Sequence, residues 1–442
     1  MQIKSLTTAP IFKLFFRYLI PSICGTMVTS IYVLADTIVI GKGLGIDAMA
    51  ALNIILPIFN LFFGTGLLFG VGGSVLMSIC RGRGDYEAGN TYFTISLLLN
   101  SIALLFWMIL GVTHIEEIVR FLGATDVTMP YIMSYIPYVI WGMGVFFFSS
   151  FLQTFIRNDG APKLAMIAVI TGGILNVILD CLFVFTFHMG MAGASIASVI
   201  GAFVTVCILC THFFSKHNGL HLCLKGFRIL HIRYIFGNGL TSFLTEMSYG
   251  IVMFIFNLQL IRYVGDIGVS VFGIITNTVI VVNCLCNGIN QAAQPIISTN
   301  FGAGLYSRTH QVQSLGLKTA AIICSVPTLI GLFFPKLFVS IFLNPNEQIL
   351  ALAPTAIRIM FLAFVGIGLN MFIISYFQST IQSMYSLGLC LLRSCILSVI
   401  LVYLLPMFFG VNGIWIASPL AEILSLSMGL YLLKKTTKGE LA

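Results

Sequence analysis

"AMAALNIILPIFNLFFGTGLLFGVGGSVLMSIC", residues 48–80, runs for 33 residues without a Lys, Arg, Asp or Glu. Its strongly polar side chains are Asn53 and Asn60. An uncharged stretch of 18 or more residues reads as a membrane-crossing helix, because a bilayer offers backbone groups no water to bond to. At 1.5 Å per residue this helix would be about 50 Å long, well beyond the ~30 Å hydrocarbon core. It must tilt, kink at Pro57 or its glycines, or project into the cytoplasm.

Comparable runs recur from end to end. Twelve spans are expected, at roughly 15–40, 48–80, 91–113, 128–155, 163–187, 191–214, 234–262, 268–300, 315–341, 352–380, 385–409 and 412–434. The 442 residues are 58% hydrophobic and 8% charged, against about 25% charged in soluble domains. A β-barrel would instead show alternating segments of ~10 residues. Lys4, Lys13 and Arg17 precede a full-length first span, so no cleavable signal is expected. The fold class is therefore an all-α integral membrane protein.

The basic residues set the orientation. With a cytoplasmic N-terminus and twelve alternations, 17 of the 22 Lys and Arg fall inside. Lys42, Arg120, Arg262, Lys336 and Arg358 fall outside. That positive-inside bias places both termini in the cytoplasm and the protein in the plasma membrane. It accounts for the net charge of +8 without nucleic acid as a partner. The eleven cysteines lie in or beside spans, and Cys207, Cys210 and His212 lack a second ligand pair, so no metal is expected. No HExxH, GxSxG or Walker A motif is present, so neither an enzyme nor an ATP-driven machine is expected. No cofactor is expected, and a monomer is.

The chain repeats itself. "SICRGRGDYEAGNTY" from Ser78 matches "STNFGAGLYSRTHQV" from Ser298 at an offset of 220, pairing Gly82 with Gly302 and Gly84 with Gly304. The same offset pairs Gly45 with Gly265 and "MAGASIASVI" from Met191 with "VNGIWIASPL" from Val411. Each half holds six spans, an even number, so the repeats are parallel. Two pseudo-symmetric six-helix lobes are expected, 1–220 and 221–442, around a central cleft. A basic cytoplasmic linker at 215–233 joins them.

Four acids fall inside spans: Asp36, Asp180, Glu246 and Glu422. A charge at mid-bilayer costs ~2.5–3.5 kcal/mol on insertion scales, so such residues default to function. Counting residues from the outer span ends puts Asp36, Asp180 and Ser198 at one depth, roughly 6–10 Å below the outer surface. Asn176 lies one turn deeper than Asp180 on the same helix face. Two carboxylates in low dielectric cannot both ionise cheaply, and a proton or Na⁺ relieves the repulsion. Asp36, Asn176, Asp180 and Ser198 are thus expected to form a cation-coupling site, rather than a polar cluster that merely joins helices. Pro21, inside span 1, is the expected hinge, since it removes a backbone hydrogen bond below Asp36.

These stretches resemble a known family. "YVLADTIVIGKGLG", "GGILNVILDCLFVF", "AGASIASVIG" and the basic "RGRGD" loop are similar to motifs of the multidrug and toxic compound extrusion (MATE) transporters. The resemblance covers essentially the whole chain and is nearest to the prokaryotic DinF-like type. It implies that Asp36, Asn176 and Asp180 belong to a first-lobe cation site. Ser198 stands where the family usually has threonine and keeps the hydroxyl. Glu246 does not coincide with the acid of the NorM-like branch.

Cargo residues are expected on spans 7 and 8. Thr276, Asn283, Asn287, Asn290 and Gln294 form one helical stripe that cannot cheaply face lipid. Glu246 and Asn257 of span 7 complete the cavity candidates. The expected function is secondary active multidrug export: H⁺ or Na⁺ antiport of amphipathic, often cationic, small molecules by a rocker-switch. A lipid or lipid-linked precursor flippase is the alternative, disfavoured because buried cations for phosphate are scarce. Glu422 is expected to pair with Arg393 unless it serves transport itself.

Overall fold

The computed structural model describes residues 6–342 and 347–441; Lys4, one of the inner-side basic residues, lies outside them. All regular structure among the described residues is helical. The first half comprises α1 (Ile11–Leu44), α2 (Ile46–Gly82), α3 (Tyr86–Phe121), α4 (Met129–Trp141), α5 (Met143–Asn158), α6 (Pro162–Cys181) and α7 (Gly190–Cys210). The second comprises α8 (Leu230–Val264), α9 (Asp266–Gly302), α10 (Tyr306–Phe333), α11 (Pro335–Phe342), α12 (Glu347–Phe361), α13 (Ala363–Ser379), α14 (Ser383–Leu391), α15 (Ser398–Leu404), α16 (Pro406–Phe409) and α17 (Val411–Leu441).

Eleven stretches of the described residues are long and apolar enough to cross a membrane, and the bent pair α4–α5 makes twelve. The twelve match the expected spans one for one. The differences have local causes. The fourth span bends by 55° at Gly142, which its hydropathy does not register. The third continues to Phe121 past a non-helical turn at His114. The ninth stops at Phe333, where Pro335 opens a separate helix, instead of running to 341. Helix α2 passes through Pro57 unbroken.

The duplication is written in the backbone. Glycines with positive φ pair at an offset of 220: Gly45 with Gly265, Gly84 with Gly304 and Gly190 with Gly410. Each closes a turn that a side chain would strain. The helix break at Gly142 recurs at Leu362, and the π-helical stretch Leu182–Thr186 has a partner at Leu392–Leu397.

By contact the chain divides into two compact units. One is built mainly from Ile20–Met247 with Ser298–Gly304. The other comprises Ile11–Leu19, Ser248–Ile297 and the chain from Leu305 onward. Helices α1, α8 and α9 therefore each contribute to both, and Pro21 sits where α1 changes unit. The core of the first unit gathers Ile132, Ile136 and Phe147 around α2; that of the second gathers Phe361, Phe364 and Trp415.

The inner part of α2 is buried almost all round because its glycines admit neighbouring backbones. A Cβ on Gly66 would strike Ser150 of α5, one on Gly73 would strike Ser96 of α3, and one on Gly72 would strike the Ile235 carbonyl of α8. Beyond it, the linker is hydrogen-bonded down rather than loose. Asp159 ion-pairs with Arg81 through one carboxylate oxygen. Its other oxygen, Oδ2, accepts from the Gly219 amide at 2.9 Å and lies 2.6 Å from His212 Nε2. The Cys223 amide donates to Thr94, and Lys225 pairs with Glu87. Helix resumes at Leu230, four residues before the expected seventh span.

Candidate cation site and its neighbours

The geometry of the site follows from small residues on α6. A Cβ on Gly172 would lie 1.9 Å from Thr205 Oγ1 and 2.5 Å from the Gly201 carbonyl of α7. A Cβ on Gly201 would meet Asn176 Cβ at 2.9 Å. The two helices thus touch backbone to backbone, which brings Asn176 to the face of α7 that carries Ser198. Asn176 Nδ2 donates to Ser198 Oγ at 3.3 Å.

Helix α1 lies along α6 in register. Gly173 abuts Tyr32, and Gly43 abuts Val184. The separation is 11 residues on both helices. Asp36, one turn beyond Tyr32, therefore comes level with Asn176 and Asp180, one and two turns beyond Gly173. Asp180 is within electrostatic reach of Asp36. The phenol of Tyr135 on α4 reaches the same place: it hydrogen-bonds with Ser198 and feels both aspartates. Tyr135 was not among the expected site residues. Its Pro-flanked aromatic run reads as core, and it is 1% exposed.

The site is rich in acceptors and poor in donors. Asp180 is fully buried, and neither carboxylate oxygen has a hydrogen-bond partner. Asn176 Oδ1 and Asp36 Oδ1 are likewise buried and unpartnered. Unmade hydrogen bonds to buried polar atoms cost ~1–3 kcal/mol each, more for charged ones. Two carboxylates, an amide oxygen and a hydroxyl suit a proton or a hard cation such as Na⁺, which prefers oxygen ligands. The four sequence-expected residues are brought together.

The cavity candidates divide. Glu246 belongs to the first unit, where its Cβ lies beside Gly64 of α2 together with Phe243. Asn257, Asn283, Asn287, Asn290 and Gln294 belong to the second. There Asn257 Oδ1 and Asn290 Oδ1 are buried without partners, Asn283 and Asn287 are half-buried, and Gln294 is buried. Glu422 is the counter-case: Arg393 Nε donates to its Oε1 at 2.7 Å and Asn370 Nδ2 to its Oε2 at 2.7 Å. Arg393, counted among the inner-side basic residues, lies instead within a span. Sequence reading also left Asp159 among the loop acids, yet it is 5% exposed and fully paired.

A duplicated bundle of twelve membrane-crossing stretches with such a site defines a polytopic membrane transporter. The family model described as MatE matches residues 21–182 and 241–404, and the chain belongs to the MATE family. The two matches begin 220 residues apart, the offset of the internal repeat. The chain is similar to the "Multidrug export protein MepA" of Staphylococcus saprophyticus, 23% identical over 94% of this chain and 90% of that protein. It is 24% identical to the protein of the same name from Staphylococcus aureus, over 96% and 93%. Among solved structures, the MATE multidrug transporter DinF-BH is 30% identical, with a TM-score of 0.88 over 97% of this chain and 96% of that one. A MATE family transporter in an outward-facing conformation gives 0.92 at 24% identity over 99% and 98%, which shows the shared fold.

Proposed function

We propose that the protein is a secondary active multidrug exporter of the plasma membrane, with both termini cytoplasmic. Inward movement of H⁺ or Na⁺ through Asp36, Asn176, Asp180 and Ser198 drives extrusion of amphipathic, often cationic, compounds by alternating access. The two repeats, 1–220 and 221–442, act as the lobes of a rocker-switch. The export names of its relatives support the cargo class. The observation that carries the coupling reading is the set of buried, unpartnered oxygens on Asp36, Asn176 and Asp180. A permanently ionised Asp180 in that setting would be unstable, so its counter-cation is exchangeable. Pro21 is the hinge through which α1 responds to the charge on Asp36. Glu246 and the polar stripe of α9 meet the cargo.

The test is ethidium efflux from cells or membrane vesicles with ΔpH or ΔNa⁺ imposed separately. Wild type follows one of the two gradients; Asp36→Asn and Asp180→Asn lose that dependence. Gradient-driven efflux retained by both variants at normal expression would overturn the coupling reading. Lipid translocation with no drug efflux would favour a flippase.

A further inference from the structure

Arg393 is a charged side chain placed deep inside a span of the second unit. It lies ten residues past Ser383, about 15 Å along a stretch that runs to Phe409. From there its side chain is too deep to reach either membrane surface. It falls in the π-helical stretch Leu392–Leu397, and its carbonyl is taken by the Ser398 hydroxyl at 2.8 Å. Single-turn π segments often mark functional positions.

The pair around it is built. Glu422 fits against α13 because residue 366 is a glycine: a Cβ there would sit 2.8 Å from Glu422 Cβ. Asn370 donates to Oε2, and Arg393 Nε donates to Oε1. Both carboxylate oxygens are spent. The two terminal guanidinium nitrogens carry no partner among the described residues, while the side chain is 14% exposed. A guanidinium end cannot face lipid at that depth without large cost, so it opens on a polar space. Cys286 of α9 lies within electrostatic reach of Arg393 and Glu422. Asn283 and Asn290, three residues before and four after Cys286, share its helix face.

We propose that Arg393, aimed by Glu422 and Asn370, is a carboxylate-binding subsite that lets the transporter accept amphipathic compounds carrying an acidic group as well as plain cations. The planar fork, with Nε anchored, offers two parallel donors to a carboxylate. This rests on the exporter reading for its physiological meaning, but not for its binding.

The probes are rhodamine B, a carboxylate zwitterion, and its ethyl ester, a cation of nearly the same size. Binding is read by fluorescence anisotropy on purified protein, and efflux in vesicles. In Arg393→Gln/Glu422→Gln, which removes both charges and keeps hydrogen-bonding amides, the acid-to-ester ratio of affinities falls about tenfold, the scale of one charge-assisted pair. If that variant misfolds, Arg393→Lys keeps the ion pair but loses the fork, and the ratio falls by a smaller factor. An unchanged ratio in a folded variant overturns the subsite. If wild type exports neither dye while the binding ratio still falls, the exporter reading fails and the subsite stands.

Discussion

Asp180 in the first unit and Glu422 in the second are both buried acids inside membrane helices, and they are solved in opposite ways. Glu422 has a guanidinium on one oxygen and an amide on the other. Asp180 has neither, and its neighbour Asp36 adds a second negative charge. The helix contacts explain the difference. In the first unit, Gly172 and Gly201 press α6 against α7 and leave no room for a long basic side chain. At the matching level of the second unit, Arg393 and Glu422 occupy the space between the corresponding helices. A buried acid with a fixed partner holds structure together; one without depends on an exchangeable cation.

That contrast breaks most visibly in transport. Asp180→Asn should abolish gradient-driven ethidium efflux, while Glu422→Gln should impair it through the amount of folded protein. Efflux per folded molecule, after quantifying protein in the membrane, separates the two. An Asp180→Asn variant that still follows the gradient would remove the distinction.

Stability should move in opposite directions. Glu422→Gln leaves Arg393 without a counter-charge, and breaking a buried pair costs about 3–5 kcal/mol. Asp180→Asn relieves repulsion and should leave thermal stability equal or higher. Melting of the purified variants in one detergent reads both. Equal losses would mean that Asp180 too is held by a fixed partner.

Packing comes next. Gly172→Ala drives a methyl into Thr205 and the Gly201 carbonyl, an overpacking of about 1–3 kcal/mol. It should also move Asn176 off α7 and weaken coupling. Gly388→Ala, on α14 with nothing within 4 Å of an added Cβ, should be neutral. If both melt alike, backbone contact is not what forms the site.

The smallest effect concerns Ser198. Ser198→Ala removes the acceptor of the 3.3 Å bond from Asn176 and should cost about 1 kcal/mol, with reduced apparent cation affinity in efflux assays. Ser198→Thr keeps the hydroxyl and should restore both.

The sequence by itself determined the spans, because a bilayer demands uncharged helices of fixed minimum length and hydropathy reports that directly. It determined the duplication, since turns such as Gly84 and Gly304 need glycine whatever surrounds them. It also brought Asp36, Asn176, Asp180 and Ser198 to one level, because rise per residue converts counting into depth. Only the tertiary structure decided which buried charges are paired. Asp159 reads as a loop acid until Arg81, His212 and Gly219 converge on it, and Tyr135 reads as core until its hydroxyl meets Ser198. Partnership is a matter of distance across helices far apart in the chain, and no local pattern of residue types encodes that distance.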